Sequence, residues 1–102
     1  MKECCKNYLN EQFGGDADVI NEIYAEYVSS MRVKLTEADT ALVGADWTQL
    51  VRVAHTVKGN ALAAGDRPMA DVAIELRSAA QLQDANQAAA LIGRLKGLSE
   101  QL

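Results

Sequence analysis

One uninterrupted apolar stripe constrains the fold of this 102-residue chain more than any other feature. Between about residues 19 and 43, apolar side chains recur at steps of three and four, the period of one face of an α-helix. The charged residues of this segment fall mostly outside that face, and Gly44 follows where a helix-ending glycine is expected. The stripe therefore predicts a long amphipathic helix with Ile20, Ile23, Tyr27, Met31, Leu35, Ala38 and Leu42 on its apolar side.

Three further segments show the same helical period, so the long helix has partners against which to bury its stripe. The first runs from residues 46–49, a capping-box pattern, to Gly65. In such a box the side chain of the first residue accepts a backbone N–H and that of the last residue reaches back to the first. The pattern of residues 66–83 predicts another helix, and a second capping-box pattern opens the last one over residues 84–102.

Residues 2–13 also carry a helical pattern, which a pair of glycines ends. Short connections favour antiparallel neighbours. We therefore predict an all-α fold, an antiparallel up-down four-helix bundle over residues 16–102 with residues 1–15 as a short N-terminal helical extension. Because the length suits one hydrophobic core and no linker divides the chain, we expect residues 1–102 to form a single domain.

Charge and hydropathy exclude several partners. The formal net charge is −4, which argues against nucleic acid, since phosphate contacts require clustered Lys and Arg. No apolar run approaches the roughly 18 residues of a membrane span, and the first residues lead into no signal-peptide core. We expect a cytoplasmic monomer that binds neither nucleic acid nor membrane.

Cys4 and Cys5 are the only cysteines, and they are adjacent. Neighbouring cysteines are poorly placed to bridge each other. They are either a redox pair or half of a metal site, or else small side chains of a terminal helix with one of them buried. The second interpretation is favoured because no further ligand cluster accompanies them.

The only histidine, His55, lies off the predicted core face of its helix. On a wheel of about 100° per residue it falls roughly 140° from the centre of the apolar stripe, so a buried structural histidine is disfavoured. Lys58 and Gly59 follow at the two spacings that contact a helical side chain from the next turn. A mid-helix glycine costs about 1 kcal/mol relative to alanine, so we interpret Gly59 as clearance for a group on His55 or for a partner.

Group transfer is the chemistry that this strip can perform. An imidazole nitrogen is a good nucleophile near neutral pH, and a phosphoryl group on His55 would lie one turn from the Lys58 ammonium, which can screen its charge. The sequence has no Gly-rich nucleotide loop, no metal-ligand spacing, and no Ser or Cys with a recognisable base. The site can accept and pass on a group, but it shows no means of extracting one from ATP.

The motif at residues 55–59 resembles the His-x-x-Lys-Gly signature of histidine-containing phosphotransfer (HPt) domains. Ala54 before the histidine, Gly65 ten residues after it and the acidic Glu75 on the following helix are similar to that family's pattern. Asn60 departs from it, standing where a small residue is frequent. Because Asn60 lies toward the core edge, we expect it to affect packing or a local hydrogen bond.

The resemblance implies a phosphorelay carrier. His55 would be exposed on a central helix, accept a phosphoryl group on Nε2 from the aspartate of a response-regulator receiver domain, and pass it to another receiver, with a sensor histidine kinase upstream. Lys58 and Gly59 would assist charge and access. No cofactor belongs to this chain, since magnesium would be held by the receiver. The docking strip would comprise Thr48, Val51, Arg52 and Leu62, although Val51 and Leu62 also fit half-buried flank positions.

Other hypotheses remain beside the carrier. The chain could be a helical adaptor or pseudo-carrier that docks receivers without chemistry, so that His55 is incidental. It could also be the phosphotransfer domain excised from a chemotaxis-type histidine kinase. A metal-binding bundle is disfavoured because its paired Glu-x-x-His motifs are absent.

Overall fold

The computed structural model describes all 102 residues and is all-helical. The helical segments predicted from the apolar period are confirmed, with no strand between them. The last helix ends at Ser99, short of the predicted Leu102, whose side chain nevertheless packs against the core. The five helices are α1 Glu3–Phe13, α2 Ala17–Val43, α3 Trp47–Ala63, α4 Arg67–Gln81 and α5 Ala85–Ser99.

Helices α2 to α5 contact one another in a closed cycle: α2 with α3, α3 with α4, α4 with α5, and α5 with α2. Together with α1 they enclose one cluster of 26 buried apolar residues, ten of which are alanines. Most of these alanines lie on or beside α3 and α4, and such small side chains let two helices approach closely. None of the five helices combines the length and apolar character that a membrane span requires.

Three-residue connections of similar form join every pair of successive helices. In each, the second residue has a positive φ, between 51° and 77°, and the third is an aspartate whose carboxylate accepts the backbone N–H three residues later. In three of the four, the N–H of that aspartate donates to the carbonyl oxygen five residues back at 2.8–3.0 Å, which closes a Schellman-type helix end. The connections are residues 14–16, 44–46, 64–66 and 82–84.

This geometry corrects one expectation at the start of α3. Gly44 follows the end of α2 at Val43 as predicted, with φ −83°, and Ala45 takes the left-handed position with φ 51°. The Asp46 carboxylate caps the Gln49 N–H at 3.1 Å as predicted. The Gln49 side chain does not return the bond, because the Asp46 N–H already donates to the Ala41 carbonyl oxygen.

A buried ion pair, which was not predicted from the sequence, attaches helix α1 to the bundle. Lys2 Nζ donates to Asp66 Oδ1 at 2.8 Å, and the Tyr27 hydroxyl donates to Asp66 Oδ2 at 2.8 Å. Asp66 is the only buried polar residue of the chain, and its carboxylate also caps α4. The predicted N-terminal extension therefore contributes to the core, into which it places Cys5 and Leu9.

Gly65, between α3 and α4, is the one position where α1 requires a glycine. Its φ is +74°, which side chains rarely adopt, and an added Cβ would lie 2.3 Å from the Tyr8 Cβ. The backbone of this connection is therefore in direct contact with α1. Together with the ion pair at Asp66, this contact fixes α1 against the end of the bundle formed by residues 64–66.

Candidate functional site

Helix α3 presents His55 to solvent. Its neighbours Ala54 and Val57 are completely buried, so the helical turn carries the histidine to the opposite side. The imidazole forms no hydrogen bond or ion pair with another group of the chain. The exposure predicted from the wheel is confirmed, and both ring nitrogens are available to a partner.

Gly59 leaves open space one turn beyond His55. An added Cβ would meet no atom within 4 Å, apart from the helix's own backbone. The chain's own packing therefore does not require a glycine at this position. Lys58 beside it is half-buried and forms no ion pair, so its ammonium is not committed to a carboxylate.

A shallow depression beside His55 is shared between α3 and α4. From α3 it is lined by Val51, Arg52 and Thr56 along with the histidine, and from α4 by Arg77. Arg77 was missed in the sequence because it lies 22 residues after His55 and on another helix. Only the close packing of α3 on α4 brings it to the same depression as the histidine, and no local spacing signals that arrangement.

The unpaired positive charges of the chain concentrate here. Of ten Lys and Arg side chains, five form ion pairs with carboxylates. Three of the other five, namely Arg52, Lys58 and Arg77, line the depression or lie within one turn of His55 on α3. No carboxylate lines the depression. In a chain of net charge −4, this surface is suited to an anionic group.

The proposed docking residues all lie on α3 but differ in exposure. Thr48 and Arg52 are exposed. Val51 is half-buried, packs against the core and lines the depression, as the flank interpretation expected. Leu62 is 40% exposed and lies outside the depression, so it is available on the surface beyond Gly59.

Two other residues near the motif have structural partners. Asn60 Nδ2 donates to Ser30 Oγ on α2 at 2.9 Å, so the position that departs from the family pattern forms a hydrogen bond between two helices. Glu75 accepts from Arg94 on α5 at 3.1 Å. The acidic residue of the pattern therefore pairs with α5 and not with His55.

Comparison with protein families identifies the chain. The family model for the Hpt domain matches residues 22–102, which include nearly all of α2 and the whole of α3, α4 and α5. The chain belongs to the Hpt domain family. No curated protein and no solved structure gave a match. Hpt domains are phosphocarrier modules of two-component phosphorelays and have no kinase activity of their own.

Proposed function

We propose that this Hpt domain is a phosphocarrier in which His55 Nε2 accepts a phosphoryl group from a receiver-domain aspartate and passes it to a response regulator. Family membership supports the reaction class. The observation that carries the assignment to this residue is the exposed, unpaired imidazole on α3, which shares its depression with the unpaired Arg52 and Arg77 and with no carboxylate, and which lies one turn from the unpaired Lys58.

The transfer uses the neutral imidazole with its proton on Nδ1. The Nε2 lone pair forms the new N–P bond, the bond between phosphorus and the aspartyl oxygen breaks, and the receiver carboxylate leaves with the electron pair. Delivery to the next receiver is the reverse reaction. Magnesium belongs to the receiver, so this chain supplies the nucleophile and positive charge but no cofactor.

Lys58 and Gly59 act on charge and access. The Lys58 ammonium, one turn from His55, screens the phosphoryl oxygens and donates a hydrogen bond to them. The open space above Gly59 admits the partner to the phosphorylated ring. The receiver docks along Thr48, Val51, Arg52 and Leu62, with Arg52 contributing to partner preference.

The proposed architecture is an antiparallel up-down four-helix bundle with α1 packed against it. The closed cycle of helix contacts and the three-residue connections support this arrangement. The burial of Cys5 and Leu9 in the common core supports a single domain over residues 1–102. We propose a monomer that meets its receivers and upstream histidine kinase in the cytoplasm.

Radiolabelled transfer separates the carrier from a non-catalytic adaptor. Phosphorylated receiver domains from the source organism are incubated with the wild type and with His55→Gln. The wild type is expected to gain an acid-labile, alkali-stable label, whereas His55→Gln binds the same receivers but gains none. If no receiver labels the wild type while both proteins bind equally, the chain is an adaptor.

The same assay tests Lys58. Lys58→Ala is expected to slow transfer by about tenfold, because a charge-assisted hydrogen bond to the phosphoryl group is lost. Lys6→Ala is the matched control, since Lys6 is an exposed cation without an ion pair and lies on α1. Equal transfer rates in the two variants, with both folded by circular dichroism, would remove Lys58 from the mechanism.

A further inference from the structure

Arg77 is the one cation that reaches the depression beside His55 from a different helix. It lies on α4, whereas the motif lies entirely on α3. The nearest acidic residue in sequence, Glu75, is already paired with Arg94. Arg77 therefore faces the histidine depression without a carboxylate partner of its own.

The guanidinium of Arg77 has one hydrogen-bond donor without an acceptor. Its Nε is buried and has no acceptor, the only buried side-chain nitrogen or oxygen of the chain in that condition. A buried donor without an acceptor costs free energy that a new acceptor nearby would recover. An acceptor in the depression shared with His55 reaches this donor only when the Arg77 side chain turns toward it, because Nε itself is buried.

A phosphoryl group on His55 has the chemistry of that acceptor. It offers three negatively charged oxygens, and arginine presents Nε–H and Nη–H as a planar fork that matches two of them. Resting on the phosphocarrier function proposed above, we propose that Arg77 binds the phosphoryl group of phospho-His55 from α4. Lys58, on α3, binds it from the other helix.

This placement gives Arg77 a distinct effect on the relay. It contacts the phosphoryl group itself, so it stabilises the phosphorylated chain relative to the phosphorylated receiver. Loss of Arg77 shifts the equilibrium of the reversible transfer toward the receiver. One charge-assisted hydrogen bond corresponds to a shift of about tenfold.

The contact can be observed in the wild-type protein without any receiver. Phosphoramidate, a small chemical donor, loads the exposed His55, and His55→Gln shows which signal depends on that residue. In ¹H–¹⁵N spectra the Arg77 Nε–H resonance, assigned by its loss in Arg77→Lys, is expected to move downfield and exchange more slowly on loading. The Arg94 Nε–H resonance serves as the internal reference, because Arg94 is exposed and paired with Glu75. An Arg77 resonance that changes no more than that of Arg94 would overturn the contact.

The equilibrium of phosphoryl transfer between this chain and a receiver provides a second test of Arg77. Arg77→Gln is expected to lower the ratio of phospho-His55 to phosphoreceiver by about tenfold, Arg77→Lys to retain part of it, and Arg94→Gln to match the wild type. Equal ratios in Arg77→Gln and Arg94→Gln would contradict the role of Arg77. If phosphoramidate loads His55 and the Arg77 resonance shifts but no receiver exchanges phosphoryl groups, the carrier function fails while the contact stands.

Discussion

Gly59 is the residue that the fold explains least and the proposed function explains best. It lies inside α3, where glycine is less stable than alanine, and the chain itself leaves the space above it empty. Nothing in the bundle is gained from the missing side chain. The open space above Gly59 therefore matters only for a molecule that approaches His55.

Replacing this glycine should improve the fold and impair the function. Gly59→Ala is expected to raise the free energy of unfolding by about 0.5–1 kcal/mol, because alanine loses less backbone entropy in a helix. The added methyl group stands in the path of the receiver, so transfer to His55 should slow by roughly tenfold or more. Urea unfolding and radiolabelled transfer measure the two effects.

Gly93→Ala is the matched control. Gly93 lies inside α5, is exposed and has the same open space for a Cβ. It should give the same gain in stability and leave transfer unchanged. Equal transfer rates in the two variants would show that Gly59 provides no access.

For single residues, the features that could be predicted from the sequence are those that depend on local spacing. The exposure of His55 and its proximity to Lys58 and Gly59 follow from positions within one helical turn. Arg77 and Asp66 could not be recognised in this way. The contact of each depends on which helices become neighbours, and a surface arginine and a helix-capping aspartate are common in any sequence of this class.

At the scale of the helices, starts were more predictable than ends. The starts of α3, α4 and α5 were predictable because a residue that caps a helix must lie directly before it in sequence. The capping residues are Asp46, Asp66 and Asp84. The left-handed residue before each of them was predictable only where it is glycine, as at Gly65. Ala45 and Gln83 adopt the same conformation because the three-residue connection demands it, against their own preference.

The attachment of α1 should weaken in alkali. Burial, followed by the nearby Asp66 charge, raises the pKa of the Cys5 thiol from 9.0 to about 12. The folded state therefore keeps Cys5 protonated at pH values where the unfolded chain ionises. The resulting stability is complete below pH 9 and is lost as the pH rises from 9 toward 12.

Unfolding in urea at pH 8, 9 and 10 measures this loss. The free energy of unfolding of the wild type should begin to fall near pH 9, the ordinary pKa of the thiol. In Cys5→Ala the fall should begin only near pH 10, where the unfolded tyrosines ionise, because burial also raises the pKa of Tyr27 above its ordinary value of 10.0. An onset at the same pH in both proteins would contradict a buried Cys5 under α1.

At the scale of the whole molecule, the helical class and the number of helices follow from periodicity, whereas the arrangement does not. The contacts of α3 with both α2 and α4 place one face of α3 in the core and leave the His55 face to solvent. The ion pair between Lys2 and Asp66 joins α1 to the connection at which α4 begins. A receiver that approaches His55 therefore meets a surface set by two helices, with the motif on one and Arg77 on the other.

The most direct measurement follows one phosphoryl group through the protein. The chain is labelled with ¹⁵N-histidine, charged with a phosphorylated receiver, purified, and then given a second, unphosphorylated receiver. We predict a phosphorus-bound Nε2 signal from His55, the only histidine, which disappears as the second receiver gains the phosphoryl group. Phosphoryl transfer that persists in His55→Gln, or phospho-His55 that no receiver discharges, would contradict a phosphocarrier acting through His55.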